Sequence, residues 1–200
     1  MHTSRAMLAG DYAEFGVWRG GASIFARAVL KAHAVEDRSV HVFDSFQGLP
    51  EASTGEDNDS WSKMTFLMVP LQDVQANFEA FGLLDSQTQF HQGFFGASCP
   101  EFRKDFMGRL AVIRLDGDMY ESTMDILYNV YEMLSVSGYA IIDDYGIDEC
   151  KKAIAEFMKV NSIEEEIKIV DDYGAYFQKS REVLLDHEWY AKFNAQRSPP

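Results

Sequence analysis

The residues that could do chemistry gather where apolar runs end. RLAVIRL (109–115) is followed by Asp116 and Asp118, and YAII (139–142) by Asp143 and Asp144. Four carboxylates at neighbouring strand ends would repel one another and resist ionisation without a positive charge between them. Oxygen donors with no Cys or His cluster nearby favour a hard divalent cation, Mg²⁺, Ca²⁺ or Mn²⁺, over Zn²⁺. The competing reading is structural: acids that cap helices and pair with Arg19 or Arg114. Earlier, the run EFGVWRGGAS brings Glu14, Gly16, Arg19, Gly20 and Ser23 into one strand-to-helix turn. Its glycines allow a tight turn and close backbone approach to a ligand, although the spacing is not the GxGxxG of dinucleotide sites. An acid before such a loop suits a cationic ligand, such as the amino group of a sulfonium cofactor. Asp44 ends the next apolar run, where an acid commonly binds the two ribose hydroxyls of a nucleoside or, more plainly, caps a turn. His91-Gln92-Gly93-Phe94-Phe95 ends a third, with aromatics that read either as core or as a face for a base.

Such residues need a scaffold, and the sequence describes one. The 200 residues suit one domain over 1–200, with 46% hydrophobic and 25% charged residues. A formal net charge of −14 disfavours nucleic acid and anionic membrane surfaces as partners. No apolar run reaches the ~18–20 residues of a membrane helix, and the N-terminus lacks a signal-peptide core. Two cysteines, Cys99 and Cys150, make no disulfide framework, so a cytoplasmic protein is expected. His2, His33, His41 and His187 show no convincing partner.

Strand alternates with helix along the chain. Strands are expected over 11–17, 39–46, 88–95, 109–118 and 139–146, with a closing pair over 166–172 and 174–180. Helices are expected over 22–34 (mainly buried), 73–84, 122–138 and 147–161. Ser122 and Asp125 have capping-box spacing at the start of the third helix, and Gly138 suits its stop. Residues 51–63 are polar and turn-rich, longer than ordinary connections, and with Trp61 form a candidate substrate cover. The tail 181–200 has no assignment. Repeated strand–helix units imply an α/β fold with a mostly parallel sheet covered on both faces, and ligands at the carboxyl ends of the strands.

In order, EFGVWRGGAS, FDSFQGLPE, HQGFF, RLDGDMYEST, IIDDYG and GAYFQK resemble the macrocin/mycinamicin O-methyltransferase family across residues 11–180. That resemblance implies a Rossmann-like class I methyltransferase fold with a seven-stranded sheet, S-adenosylmethionine (SAM) as cofactor, and Mg²⁺. It implies metal ligation by Asp116, Asp143 and Asp144, and the spacing from Asp116 to Asp143 also resembles that of catechol-type methyltransferases. It makes Glu14–Ser23 the loop for the cofactor's methionine end and Asp44 the ribose ligand. Asp44-Ser45-Phe46 and Gln92-Gly93-Phe94 would flank the nucleoside, where the family more often reads Lys-Gly-Trp in the second stretch. Asp116 would also border the cofactor. Members usually carry helical segments before the first strand, which here has only about ten residues ahead of it, so at most a homodimer is expected.

The implied reaction is methyl transfer to a hydroxyl of a sugar or glycosylated small molecule. A metal held by Asp116 could fix and acidify that hydroxyl, and Asp118, Tyr120 and Glu121 are the nearby choices for a base. Three rivals compete with it. A nicotinamide dehydrogenase lacks its glycine motif here. A metal phosphohydrolase would want more cationic clamps than Arg19 and Arg114. A non-catalytic SAM- or nucleotide-binding domain would keep the fold without turnover.

Overall fold

A computed structural model describes residues 8–58 and 60–197. Its sheet has seven strands: β1 (Asp11–Phe15), β2 (Val40–Asp44), β3 (Thr88–Gln92), β4 (Leu110–Leu115), β5 (Leu134–Ile142), β6 (Lys168–Ile169) and β7 (Ala175–Gln178). They lie in the order β3-β2-β1-β4-β5-β7-β6. The first five are parallel, and β7 runs antiparallel to both β5 and β6. Six helices accompany them: α1 (Gly21–Ala32), α2 (Leu71–Ala80), α3 (Phe95–Asp105), α4 (Tyr120–Val130), α5 (Asp148–Val160) and α6 (His187–Asn194). Among the described residues no helix is long and apolar enough to cross a membrane.

Alternation along the strands splits the core between the two faces of the sheet. Val40 and Val42 of β2 pack with Ile24 of α1 and with Val74 and Phe78 of α2. Phe43, the residue after Val42, faces the other side and stacks on Phe15 at 4.5 Å. There it joins a cluster that includes Met124 and Leu127 of α4 and Ile154 and Phe157 of α5. The sheet is thus buried on both faces, as a parallel sheet must be.

Several expectations are corrected. Helix α1 is not mainly buried: only Ser23, Ile24 and Arg27 are, and Phe25 is 70% exposed. Residues 95–105 form a helix, α3, where the sequence reading extended a strand to 95. The helix expected to reach Gly138 stops at Val130, and after a short 3-10 turn over Tyr131–Met133 the segment from Leu134 is already strand. Gly138 is no helix stop. It sits where the β4–β5 register slips, and a Cβ there would meet the Ser135 and Ala111 carbonyl oxygens at 2.7 and 2.9 Å. Ser122 is no cap either, because α4 begins at Tyr120. In place of that box, Asp57 accepts the amide hydrogens of Tyr120 (2.6 Å) and Glu121 (2.9 Å), binding the 51–63 loop to the start of α4. The tail contributes α6, whose Asp186 caps it by accepting Trp189 N–H at 2.9 Å.

Candidate active site

The backbone ladder continues past the strand ends and sets the acids side by side. Asp116 N–H donates to Phe15 O and Asp143 N–H to Leu115 O, both at 2.9 Å, so the tips of β1, β4 and β5 stay in register. Gly16 crosses directly over β4. Its φ is +88°, and a Cβ would lie 1.8 Å from the Asp116 carbonyl oxygen, so no other residue fits there.

Arg114 holds the centre of this edge. Its guanidinium reaches Glu14 Oε1, Asp116 Oδ2 and Asp143 Oδ1, each at 2.6 Å. Burial works against its charge, but the surrounding carboxylates outweigh that and hold its pKa above the ordinary value. Glu14 is 1% exposed and also accepts the Ser23 hydroxyl. Burial pushes its pKa up to about 7 despite Arg114. Burial likewise raises Asp116 to about 6, opposed by Arg114 and reinforced by Asp143. Asp118 and Asp144 have no cation partner among the described residues. Burial and then the neighbouring acids carry Asp118 to about 7 and Asp144 to about 8. Asp144 Oδ2 accepts Asp118 N–H at 2.9 Å, fixing the turn in which Asp118 takes φ +55°.

Asp116, Asp143 and Asp144 each offer an oxygen within 4.8 Å of the others. All-oxygen donors at that separation, with a negative charge that Arg114 only partly offsets, suit a hard divalent cation. At the second strand end, Asp44 accepts Val17 N–H (2.9 Å) on one oxygen and Phe46 N–H (2.7 Å) on the other. Burial raises its pKa against these bonds. The Trp18 amide and the Ser45 side chain also hydrogen-bond this carboxylate, so it is held firmly at the strand end. Gly93 N–H donates to Asp44 O at 2.9 Å, which brings the 92–94 stretch to the same edge.

The remaining expected residues are dispersed in what they do. The Tyr120 hydroxyl donates to Glu156 at 2.8 Å, beside Lys152 of α5, and so turns away from the acids. That geometry corrects its reading as a base. Glu121 is equally committed: it accepts from Ser53 and Thr54 and pairs with Arg197. Arg19 lies over the Trp18 ring at 4.4 Å. The Ser45 hydroxyl donates to Gly48 O at 2.5 Å, Phe46 is buried beside Phe90, and Gln92 and Phe94 are exposed. Two site residues escaped the sequence reading. Arg114 entered it only as a competing partner for the acids, though its alternation with Leu115 on β4 marks it as facing the strand-end edge. Asp57 gave no signal beyond its polar loop. The histidines also need correction: His41 bonds Asp11 (3.0 Å) and His91 (3.1 Å), and His187 faces Glu132 at 3.3 Å, while His2 lies outside the described residues.

Comparison with known proteins gives this geometry a lineage. The family model for macrocin O-methyltransferase (TylF) matches residues 2–179. The 8-demethyl-8-(2,3-dimethoxy-alpha-L-rhamnosyl)-tetracenomycin-C 4'-O-methyltransferase of Streptomyces olivaceus is 46% identical over 84% of this chain and 66% of its own length. The mycinamicin III 3''-O-methyltransferase of Micromonospora griseorubida is 45% identical over 86% and 69%. Among solved structures, the O-methyltransferase NovP superposes with a TM-score of 0.77 at 42% identity, over 86% of this chain and 72% of that one. The chain spans about two thirds of the length of the curated relatives it matches. It belongs to the macrocin O-methyltransferase (TylF) family, with the Rossmann-like fold of class I methyltransferases.

Proposed function

We propose that the chain, as one methyltransferase domain, is a SAM-dependent O-methyltransferase acting on a sugar hydroxyl of a glycosylated small molecule. The observation that carries this reading is the triad Asp116, Asp143 and Asp144 set beside the Glu14–Ser23 turn on one sheet edge. Relatives named for methylating rhamnosyl and mycinamicin hydroxyls support the acceptor class.

SAM supplies an electrophilic methyl group. Asp44, fixed at the end of β2 by its backbone hydrogen bonds, would accept from the ribose diol. Glu14 is occupied by Arg114 and Ser23, so it acts by fixing the loop that receives the methionine end. Asp116, Asp143 and Asp144 would hold Mg²⁺ or a similar hard ion, which would supply Lewis acidity toward an acceptor hydroxyl. Asp118, with no cation partner among the described residues, would take up the proton that the acceptor hydroxyl releases on methylation. The 51–63 loop walls the acceptor side: Asp57 ties it to α4, and Glu56 pairs with Lys152 on α5. A phosphohydrolase is disfavoured because Arg114, the cation at the acid edge, is already paired with three carboxylates.

The test is transfer of labelled methyl from SAM to methyl α-L-rhamnopyranoside and 2-naphthyl α-L-rhamnopyranoside in the presence of Mg²⁺. Label should appear on the glycoside and fall at least ~100-fold in Asp118→Asn, the scale of a lost general base. Label reaching neither acceptor would defeat the sugar assignment.

A further inference from the structure

The carboxylates account for the reacting hydroxyl but not for the rest of an acceptor. Beside them lies a surface of the opposite character. Strand β6 runs toward the same sheet edge as β5, so the turn that joins it to β7, residues 170–174, stands at that edge. The register is close: Ile142 pairs with Ala175, which sets Gly174 and Tyr173 level with Asp143 and Asp144. Contact is direct at the next step. Gly146 N–H donates to Tyr173 O at 3.0 Å. A Cβ on Gly146 would lie 2.5 Å from Asp172 O and 3.2 Å from the Tyr173 ring, so the turn seats there because the residue is glycine.

This turn is rigid and apolar at once. The Asp171 carboxylate accepts Tyr173 N–H (2.9 Å) and Gly174 N–H (2.7 Å), and Val170 N–H bonds Gly174 O at 2.9 Å. Yet Ile169, Val170 and Tyr173 are 63%, 66% and 70% exposed. Two β-branched side chains and an aromatic ring held open beside a charged site cost solvation and contribute nothing to the core.

Resting on the proposed sugar O-methylation, we infer that the β6–β7 turn is the docking platform for the acceptor's non-reacting part, an uncharged apolar ring system attached to the methylated sugar. Two observations select that occupant. The platform adjoins the acid triad, so a ligand whose hydroxyl reaches the triad extends onto it. The turn itself carries Asp171 and Asp172, and α5 opens on Asp148 and Glu149 just after Gly146, a concentration of negative charge that repels a phosphate-bearing group such as a nucleoside diphosphate. Tyr173 is therefore a specificity residue that binds through its ring face and takes no part in the transfer itself.

Binding of the two rhamnosides, measured by ligand-observed NMR with SAH and Mg²⁺ present, tests this without requiring turnover. Wild type should bind the naphthyl glycoside roughly tenfold more tightly than the methyl glycoside, the scale of one aromatic stacking contact. Tyr173→Ala should erase that preference and leave methyl-glycoside binding unchanged, and Tyr173→Phe should restore it. Equal binding of both glycosides to wild type, or a preference that survives Tyr173→Ala, overturns the inference. So does light scattering in which Tyr173→Ala converts a dimer to a monomer, since the patch would then belong to a second copy. Turnover fails separately: naphthyl-glycoside binding that depends on Tyr173, with no labelled product, retains the platform and defeats only the methyl-transfer reading.

Discussion

Replacing Arg114 with Met asks how the acid edge is held together without a metal. Methionine keeps an unbranched apolar stem of similar reach and removes the only cation among the described residues that pairs with the cluster. The three broken contacts are unequal. The Asp143 side chain is 45% exposed, so water replaces its lost partner at a cost of at most ~1 kcal/mol. The Glu14 side chain is 2% exposed, and stripping the cation from a buried carboxylate costs ~3–5 kcal/mol. Glu14 can limit that loss by taking up a proton, since burial already holds it near pKa 7. Without Arg114 that value rises further. A folded-state pKa above the unfolded one means that the stability lost grows as pH rises through neutrality and vanishes once the acid is protonated in both states.

The expected result is thus a loss of ~3 kcal/mol at pH 8, a Tm lower by roughly 6–12 °C for a chain of this size, and a much smaller loss at pH 5.5. Differential scanning calorimetry in chelator at both pH values measures it. Combining Arg114→Met with Glu14→Gln should recover most of the stability, because the uncompensated charge is then gone. The Tm rise caused by Mg²⁺ should be larger in Arg114→Met than in wild type, since Asp116 and Asp143 no longer serve two cations. A Tm drop below ~2 °C at pH 8, or equal drops at both pH values, would refute Arg114 as the neutraliser of Glu14.

Three further outcomes follow from the same geometry. SAM or SAH should raise Tm by mass action, and Asp44→Ala should weaken binding by ~1.5–3 kcal/mol, the worth of hydrogen bonds to a charged group; equal thermal shifts in both proteins would remove Asp44 from the ribose role. Asp143→Asn and Asp116→Asn should abolish Mg²⁺-dependent transfer while SAM binding persists, and full turnover in excess chelator would exclude the metal role. Metal-free wild type should lose stability as pH rises from about 4 to about 8, because Asp116, Glu14, Asp118 and Asp144 all titrate above their unfolded values; saturating Mg²⁺ should flatten that slope, and a Tm that climbs with pH in chelator would contradict it.

The fold was legible wherever one period dominated. The strands β1, β2, β4 and the end of β5 are short apolar runs closed by an acid or glycine, and α5 repeats its buried positions Cys150, Ala153, Ile154, Phe157 and Met158 at helical spacing. What escaped was set by tertiary contact. Leu134-Ser-Val-Ser continues the apolar stripe of α4 well enough to read as helix, but it pairs with β4 and its Ser137 N–H bonds Lys179 O at 2.7 Å. A period of 3.6 and a period of 2 coincide over four residues, and only the partner strand separates them. The start of α4 fails in the same way. Local spacing favoured Ser122, whereas the cap comes from Asp57, far back in the chain.

The site divides along a similar line. Residue type and position near a strand end were enough to bring Asp116, Asp118, Asp143, Asp144, Glu14 and Asp44 forward as candidates, and the structure gathers Glu14, Asp116 and Asp143 around Arg114. Direction is what sequence does not carry. Tyr120 follows the acids by two residues and has the right chemistry for a base, yet the first turn of α4 rotates its ring toward α5 and spends its hydroxyl on Glu156. Arg114 precedes the acids by two residues, and the alternation of an extended strand keeps it on their side of the sheet. Two neighbours at equal distance along the chain thus reach opposite fates, since one follows the strand's period and the other the helix's. The balance they leave is specific: Arg114 neutralises Glu14, Asp116 and Asp143 and reaches neither Asp144 nor Asp118. A divalent ion bound at the triad would therefore meet one carboxylate, Asp144, that no cation among the described residues satisfies, and the acid beside it, Asp118, would stay available for a proton.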